Sequence, residues 1–166
     1  DKDEIRENQA ESNGHRWGKQ IFFMGIAILG IGLFWMQKDH YKAYQQWNKA
    51  QMFYNNKAYE AALEGYEPLY PLLKHKPEFL FEAAQSLSKT GQYEKANEYL
   101  ERAVLLSSDP MLYYVMAKNE QCLGEYRQAE KHLLHAIDIL PERIYPYYLL
   151  MNLYTEPSYF QPAKLK

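Results

Sequence analysis

One stretch of this chain is written twice. Gly91-Gln92-Tyr93-Glu94-Lys95-Ala96-Asn97-Glu98-Tyr99-Leu100-Glu101-Arg102-Ala103 recurs as Gly124-Glu125-Tyr126-Arg127-Gln128-Ala129-Glu130-Lys131-His132-Leu133-Leu134-His135-Ala136, with every landmark displaced by 33 residues. The offset carries Ala84 to Ala117 and Phe81 to Tyr114 as well. A fixed period of this length means stacked units, each of which buries its apolar face only against its neighbours. Inside the unit Tyr93, Ala96, Leu100 and Ala103 fall on one face of a helix. The small residues admit a neighbouring helix closely. Gly91 and Gly124 stand just before these helices, where a tight reversal needs a residue tolerant of positive φ.

Two helices around a glycine turn in about 34 residues is the tetratricopeptide pattern. The chain resembles that family in Ala84 and Ala117, in the turn glycines, in the aromatics Tyr93 and Tyr126, and in the paired alanines. The resemblance implies an all-α, right-handed solenoid of antiparallel helix pairs with a concave groove. Over residues 40–166 it predicts about three and a half repeats, at about 43–76, 77–109 and 110–142 with a partial unit at 144–166. The first unit departs from the pattern. Asn56-Lys57 replaces the turn glycine, with Asn the better residue for positive φ, and Pro68 and Pro71 must kink or end its second helix. Pro77 and Pro110 suit first turns, the latter behind Asp109 as a cap. In the last unit Pro146 suits a first turn and Pro157 ends the helix. Phe160 and Ala163 lie in register for a second helix, and Met151 replaces a small residue.

Upstream the character changes. Residues 1–15 are polar, mixed in charge and without apolar period, which predicts a flexible tail or loop. Ile21 to Met36 then carry no charge, and counting from Trp17 gives a helix of roughly 30 Å, a bilayer core. Trp17 and Trp35 sit near its ends, and Arg16, Lys19 and Lys38 flank it. The segment 17–38 therefore reads as a transmembrane helix. A signal peptide would show a small-residue cleavage site beyond the run, and a buried core helix some polar face. Four basic residues on each side leave orientation open: Lys2, Arg6, Arg16 and Lys19 against Lys38, Lys42, Lys49 and Lys57. The chain begins at Asp1 and reads as part of something longer.

A net charge of −2 argues against nucleic acid, and the single cysteine, Cys122, excludes an intrachain disulfide and a cysteine zinc cluster. No phosphate-binding, dinucleotide, metalloprotease or serine-hydrolase motif occurs, so no catalytic residue, cofactor or metal site is expected in this segment. His132 and His135 read as two solvated histidines without a third ligand, and Glu94, Glu98 and Glu101 as partners of Lys95 and Arg102.

One constellation remains. Trp47, Phe81, Tyr114 and Tyr148 recur at 34, 33 and 34 residues, and Gln51, Gln85, Lys118 and Asn152 follow each by four. The tetratricopeptide resemblance places these eight on the concave wall, where aromatic faces between amides suit a peptide from a protein partner or a glycan. The bland alternative is that the rings pack repeat against repeat. On the groove reading Trp47 is mostly packed and Tyr114 accessible.

The whole chain, from the apolar run through YKAYQQWNKAQMFY to LPERIYPYYLLMNLY, also resembles the C-terminal tail of O-antigen ligase or polymerase-like membrane proteins of the Bacteroidetes kind. That resemblance implies a membrane-anchored scaffold serving a polysaccharide-assembling enzyme of the bacterial inner membrane, with the repeats facing the periplasm and the catalytic loops outside this segment. The alternative is a stand-alone single-span adaptor that recruits a protein partner.

Overall fold

The computed structural model describes the backbone of residues 2–164 and the side chains of 22–35 and 38–164. Among the described residues every regular element is helical. They are α1 (Lys2–Asn55), α2 (Tyr59–Tyr66), α3 (Tyr70–Leu73), α4 (Pro77–Lys89), α5 (Tyr93–Val104), α6 (Pro110–Leu123), α7 (Tyr126–Ile139) and α8 (Ile144–Thr155), with 3-10 turns at Glu67–Leu69, Pro157–Tyr159 and Pro162–Lys164. The chain divides into two compact units, Asp1–Lys42 and Ala43–Lys166.

In the first unit the backbone is helical from Lys2, where a tail or loop is expected from the sequence; Glu, Arg, Gln and Ala there are strong helix formers. The side chains of Arg16, Trp17 and Lys19, expected at one flank of the apolar run, lie outside the described residues. From Phe22 to Trp35 every side chain is exposed. By length and composition this helix is apolar enough to cross a membrane. Lys38 places its ammonium 5.0 Å over the Trp35 ring.

The second unit is a stack of helix pairs. α4 packs on α5, α5 on α6, α6 on α7 and α7 on α8, while α2 packs on α4. The periodic small residues are at the crossings: Ala62, Ala84, Ala96, Ala103, Ala117, Ala129 and Ala136 are all buried. A Cβ added to Gly65 would come within 2.7 Å of the Ala50 Cβ, so α1 and α2 meet as closely as side chains allow. One core runs from Ala43 to Met116 around Tyr66, Phe79 and Leu100; a second joins Tyr114, Leu133, Leu150 and Tyr154.

The turns carry a correction. Gly91 and Gly124 have φ of 81° and 78°, but in the first repeat the left-handed residue is Lys57, φ 62°, and not Asn56. Lys57 lies 34 residues before Gly91, so the repeat geometry dictates which residue is strained. Asn56 instead turns its side-chain amide back to the Met52 carbonyl at 2.8 Å. Pro68 and Pro71 break α2 into a 3-10 turn and the short α3. Asp109 caps α6 by accepting from the Met111 N–H at 2.9 Å.

The second helix expected around Phe160 and Ala163 is replaced by two 3-10 turns. Pro157 and Pro162 lack amide donors, and a competing set of contacts takes the segment back onto α7 and α8. Tyr159 stacks on Tyr126 at 5.6 Å, and the Tyr159 and Tyr154 hydroxyls each donate to the Glu130 carboxylate at 2.7 Å. Lys164 closes this clasp by an ion pair to Glu130 and lies 5.3 Å over the Tyr154 ring. Burial alone would raise the Glu130 pKa, but the bonds from Lys164, Tyr159 and Tyr154 outweigh it and hold the carboxyl below its ordinary range.

Candidate functional site

The first helices of successive pairs (the end of α1, then α4, α6 and α8) supply all eight residues of the expected wall, and the structure treats them unequally. Trp47 is half-buried. Its indole ring meets Phe79 edge-on at 5.7 Å, and its N–H donates to Glu82 at 2.7 Å. Gln51 donates to the same carboxylate at 2.6 Å, and the Tyr66 hydroxyl reaches it at 3.1 Å. Gln85 accepts from the Tyr54 hydroxyl. Burial, then the Glu82 charge, raises the pKa of both Tyr54 and Tyr66, so both phenols stay protonated donors. Glu82 was not singled out from the sequence. A carboxylate one position beyond the periodic Phe81 is the only signal, and it is legible only once the facing donors are known.

Phe81 is half-buried and lines a pocket of about 260 Å³ with Pro77, Glu78, Glu82, Ser107, Asp109 and Leu112. Beside it lies a cavity of about 370 Å³, lined by Gln85, Ser88 and Lys89 of α4, Tyr93 of α5, Met111, Tyr114, Val115, Lys118, Asn119 and Cys122 of α6, and Tyr145 of α8. The structure therefore brings Gln85, Tyr114 and Lys118 to one cavity. Tyr148 and Asn152 are exposed on α8 outside it, with Tyr148 stacked on Tyr145 at 6.5 Å.

Tyr114 overturns the expectation of an accessible ring. It is 5% exposed, and Tyr145 meets it edge-on at 5.3 Å. The reason is the last helix pair. α8 packs against α7, and with Leu150, Leu153 and Tyr154 it closes a core around Tyr114. Yet the Tyr114 hydroxyl is buried with no hydrogen-bond partner. Burial raises its pKa, partly offset by the nearby Arg143, so it remains a proton donor with nothing to donate to.

Several side readings change. His132 is not simply solvated: its Nδ1 stands 2.9 Å from the carboxylate of buried Glu120. His135 is exposed and meets the Tyr113 ring at 4.7 Å. Among the described residues no cluster of three metal-ligating side chains forms. Lys95 pairs with Glu67 at 2.7 Å and not with its helix neighbours, and Arg102 lies over Tyr70 at 5.9 Å.

The arrangement matches known folds. A family model described as anaphase-promoting complex, cyclosome, subunit 3 matches residues 55–136. No curated protein matches the chain. Among solved structures, the Yersinia enterocolitica type III secretion chaperone SycD, in complex with a peptide of the translocator YopD, superposes with a TM-score of 0.58 at 20% identity, covering 66% of this chain and 85% of that one. The first TPR of Spaghetti (RPAP3) bound to the HSP90 peptide SRMEEVD gives 0.61 at 16% identity, covering 67% and 89%. MamA from Desulfovibrio magneticus gives 0.63 at 18% identity, covering 68% of this chain and 64% of that one. At these identities the likeness establishes the fold: the repeats are tetratricopeptide-like.

Proposed function

We propose that this chain is a membrane-anchored interaction scaffold whose wall of first helices holds an extended segment of a protein partner. The observation that carries the reading is the cavity at Tyr114 and Lys118. It stands on the face built by the periodic first-helix residues and offers a buried donor without an acceptor. SycD and RPAP3, which share the fold, were each solved with a peptide bound. A glycan competes for the same surface only through the exposed rings of Tyr145 and Tyr148.

Anchoring rests on the apolar, exposed run from Phe22 to Trp35. We further propose that the anchor holds the repeats on the periplasmic side of a bacterial inner membrane, as the tail of an O-antigen ligase-like protein. The support is the resemblance of the whole chain, and a stand-alone single-span adaptor has the same anchor and groove. Cys122 is exposed and the only thiol. In intact cells a maleimide that enters the periplasm but not the cytoplasm should label it; protection until lysis refutes that orientation.

The groove itself is tested by photo-crosslinking. A benzophenone side chain at Tyr148, exposed on α8, should capture a protein partner in cells, while the same group at Glu101, exposed on α5, should not. Equal capture at both positions, or none at Tyr148, overturns the groove reading.

A further inference from the structure

We propose that the groove selects a segment carrying one carboxylate and one cationic side chain about three residues apart, the carboxylate in the Tyr114 cavity and the cation in the neighbouring pocket at Phe81. The inference rests on the peptide-scaffold reading and adds the chemistry of the segment.

The two recesses lie side by side along α4 and α6 and carry opposite charge. Two lysines, Lys89 and Lys118, line the larger one, and no Asp or Glu does. Neither lysine forms an ion pair among the described residues. The smaller one is lined by Glu78, Glu82 and Asp109 with no cation. Glu82 is held by three neutral donors, which orient its charge without cancelling it. This segregation is not general on the molecule: the recess along α7 mixes Arg127, Glu130, Lys131 and Asp138.

Tyr114 is the independent sign that a ligand belongs there. Its hydroxyl is buried, unpartnered and protonated, and an unpaired buried donor is a defect that native structures keep to a few per chain. An incoming oxygen, from a carboxylate or a peptide carbonyl, supplies the acceptor once the exposed Tyr145 ring swings aside. Spacing follows from helix geometry. Glu82 and Lys89 are seven residues apart on α4, about 10 Å at 1.5 Å per residue, and an extended peptide covers that in about three residues at 3.3 Å each.

The test uses the full chain in detergent micelles and fluorescein-labelled ten-residue peptides of Gly, Ser and Leu, acetylated and amidated so that no terminus carries charge. Peptides with Glu and Lys three residues apart, in either order, should bind at least about tenfold more tightly than those with Glu replaced by Gln, Lys replaced by Gln, or the pair eight residues apart. Lys89→Glu with Lys118→Glu should abolish the preference for the Glu-containing peptide. Tyr114→Phe should weaken binding severalfold while leaving the melting temperature no lower, since it removes an unpartnered buried donor. Equal binding of all the peptides, or of none while the Tyr148 crosslink persists, overturns the charge-pair inference and leaves the scaffold standing. Loss of the crosslink as well overturns both.

Discussion

Glu82 and Glu130 are both half-buried, both accept three hydrogen bonds, and both draw distant parts of the stack together. Their partners differ in kind. Glu82 gathers Trp47, Gln51 and Tyr66, all neutral, and joins α1 and α2 to α4. Glu130 gathers two tyrosines and Lys164, and ties the C-terminal turns to α7. A carboxylate solvated by neutral dipoles keeps its field, whereas one paired with an ammonium spends it locally. The first region stays electrostatically open; the second is a closure.

The comparison breaks most sharply at Glu82. Replacing it with Ala strands the buried Tyr66 hydroxyl and frees the Trp47 and Gln51 donors, and should lower stability by about 3 kcal/mol, read from the urea midpoint. A loss smaller than that of Glu130→Ala would reverse the ranking. Glu130→Ala strands one buried hydroxyl, that of Tyr154, and releases an exposed lysine, so about 2 kcal/mol should go, with faster amide exchange centred on residues 156–164. Acid should do the same. The folded Glu130 carboxyl lies below its ordinary value of 4.5, so the clasp contributes fully above that pH and is lost as the pH falls through the lower folded value. Exchange that quickens on raising the pH from neutral, beyond its intrinsic rise, would contradict this. The smallest effect is expected in the first turn. Lys57→Gly removes a left-handed side chain at φ 62° and should stabilise by up to about 1 kcal/mol, net of the entropy a glycine adds to the unfolded chain.

The repeats were legible because they are local and periodic. The alanines at i and i+7 announce a helix crossing whichever helix they meet, and Gly91 and Gly124 announce a turn. Lys57 was misread because residue preference favours Asn56, while the position is imposed by the unit's 34-residue register. Tyr114 was misread for a different reason. Its ladder position is the one expected, but its exposure is set by Tyr145 and Leu150, which α8 brings in from another repeat. Nothing in the periodicity names Glu82 either, since its role is defined by donors 16 to 35 residues away. Of the eight candidate wall residues, Gln85, Tyr114 and Lys118 share a cavity, Phe81 lines the smaller pocket, Trp47 and Gln51 share Glu82, and Tyr148 and Asn152 stand in the open.

The two carboxylate hubs also leave a seam between them. Every partner of Glu82 lies before residue 109 and every partner of Glu130 after it. In a stack held by nearest-neighbour contacts, one further 33-residue module spliced in just ahead of Asp109 would disturb neither. The length of the wall of first helices is thus an adjustable parameter of this architecture, set by how many modules are inserted at the seam and independent of how either end is sealed.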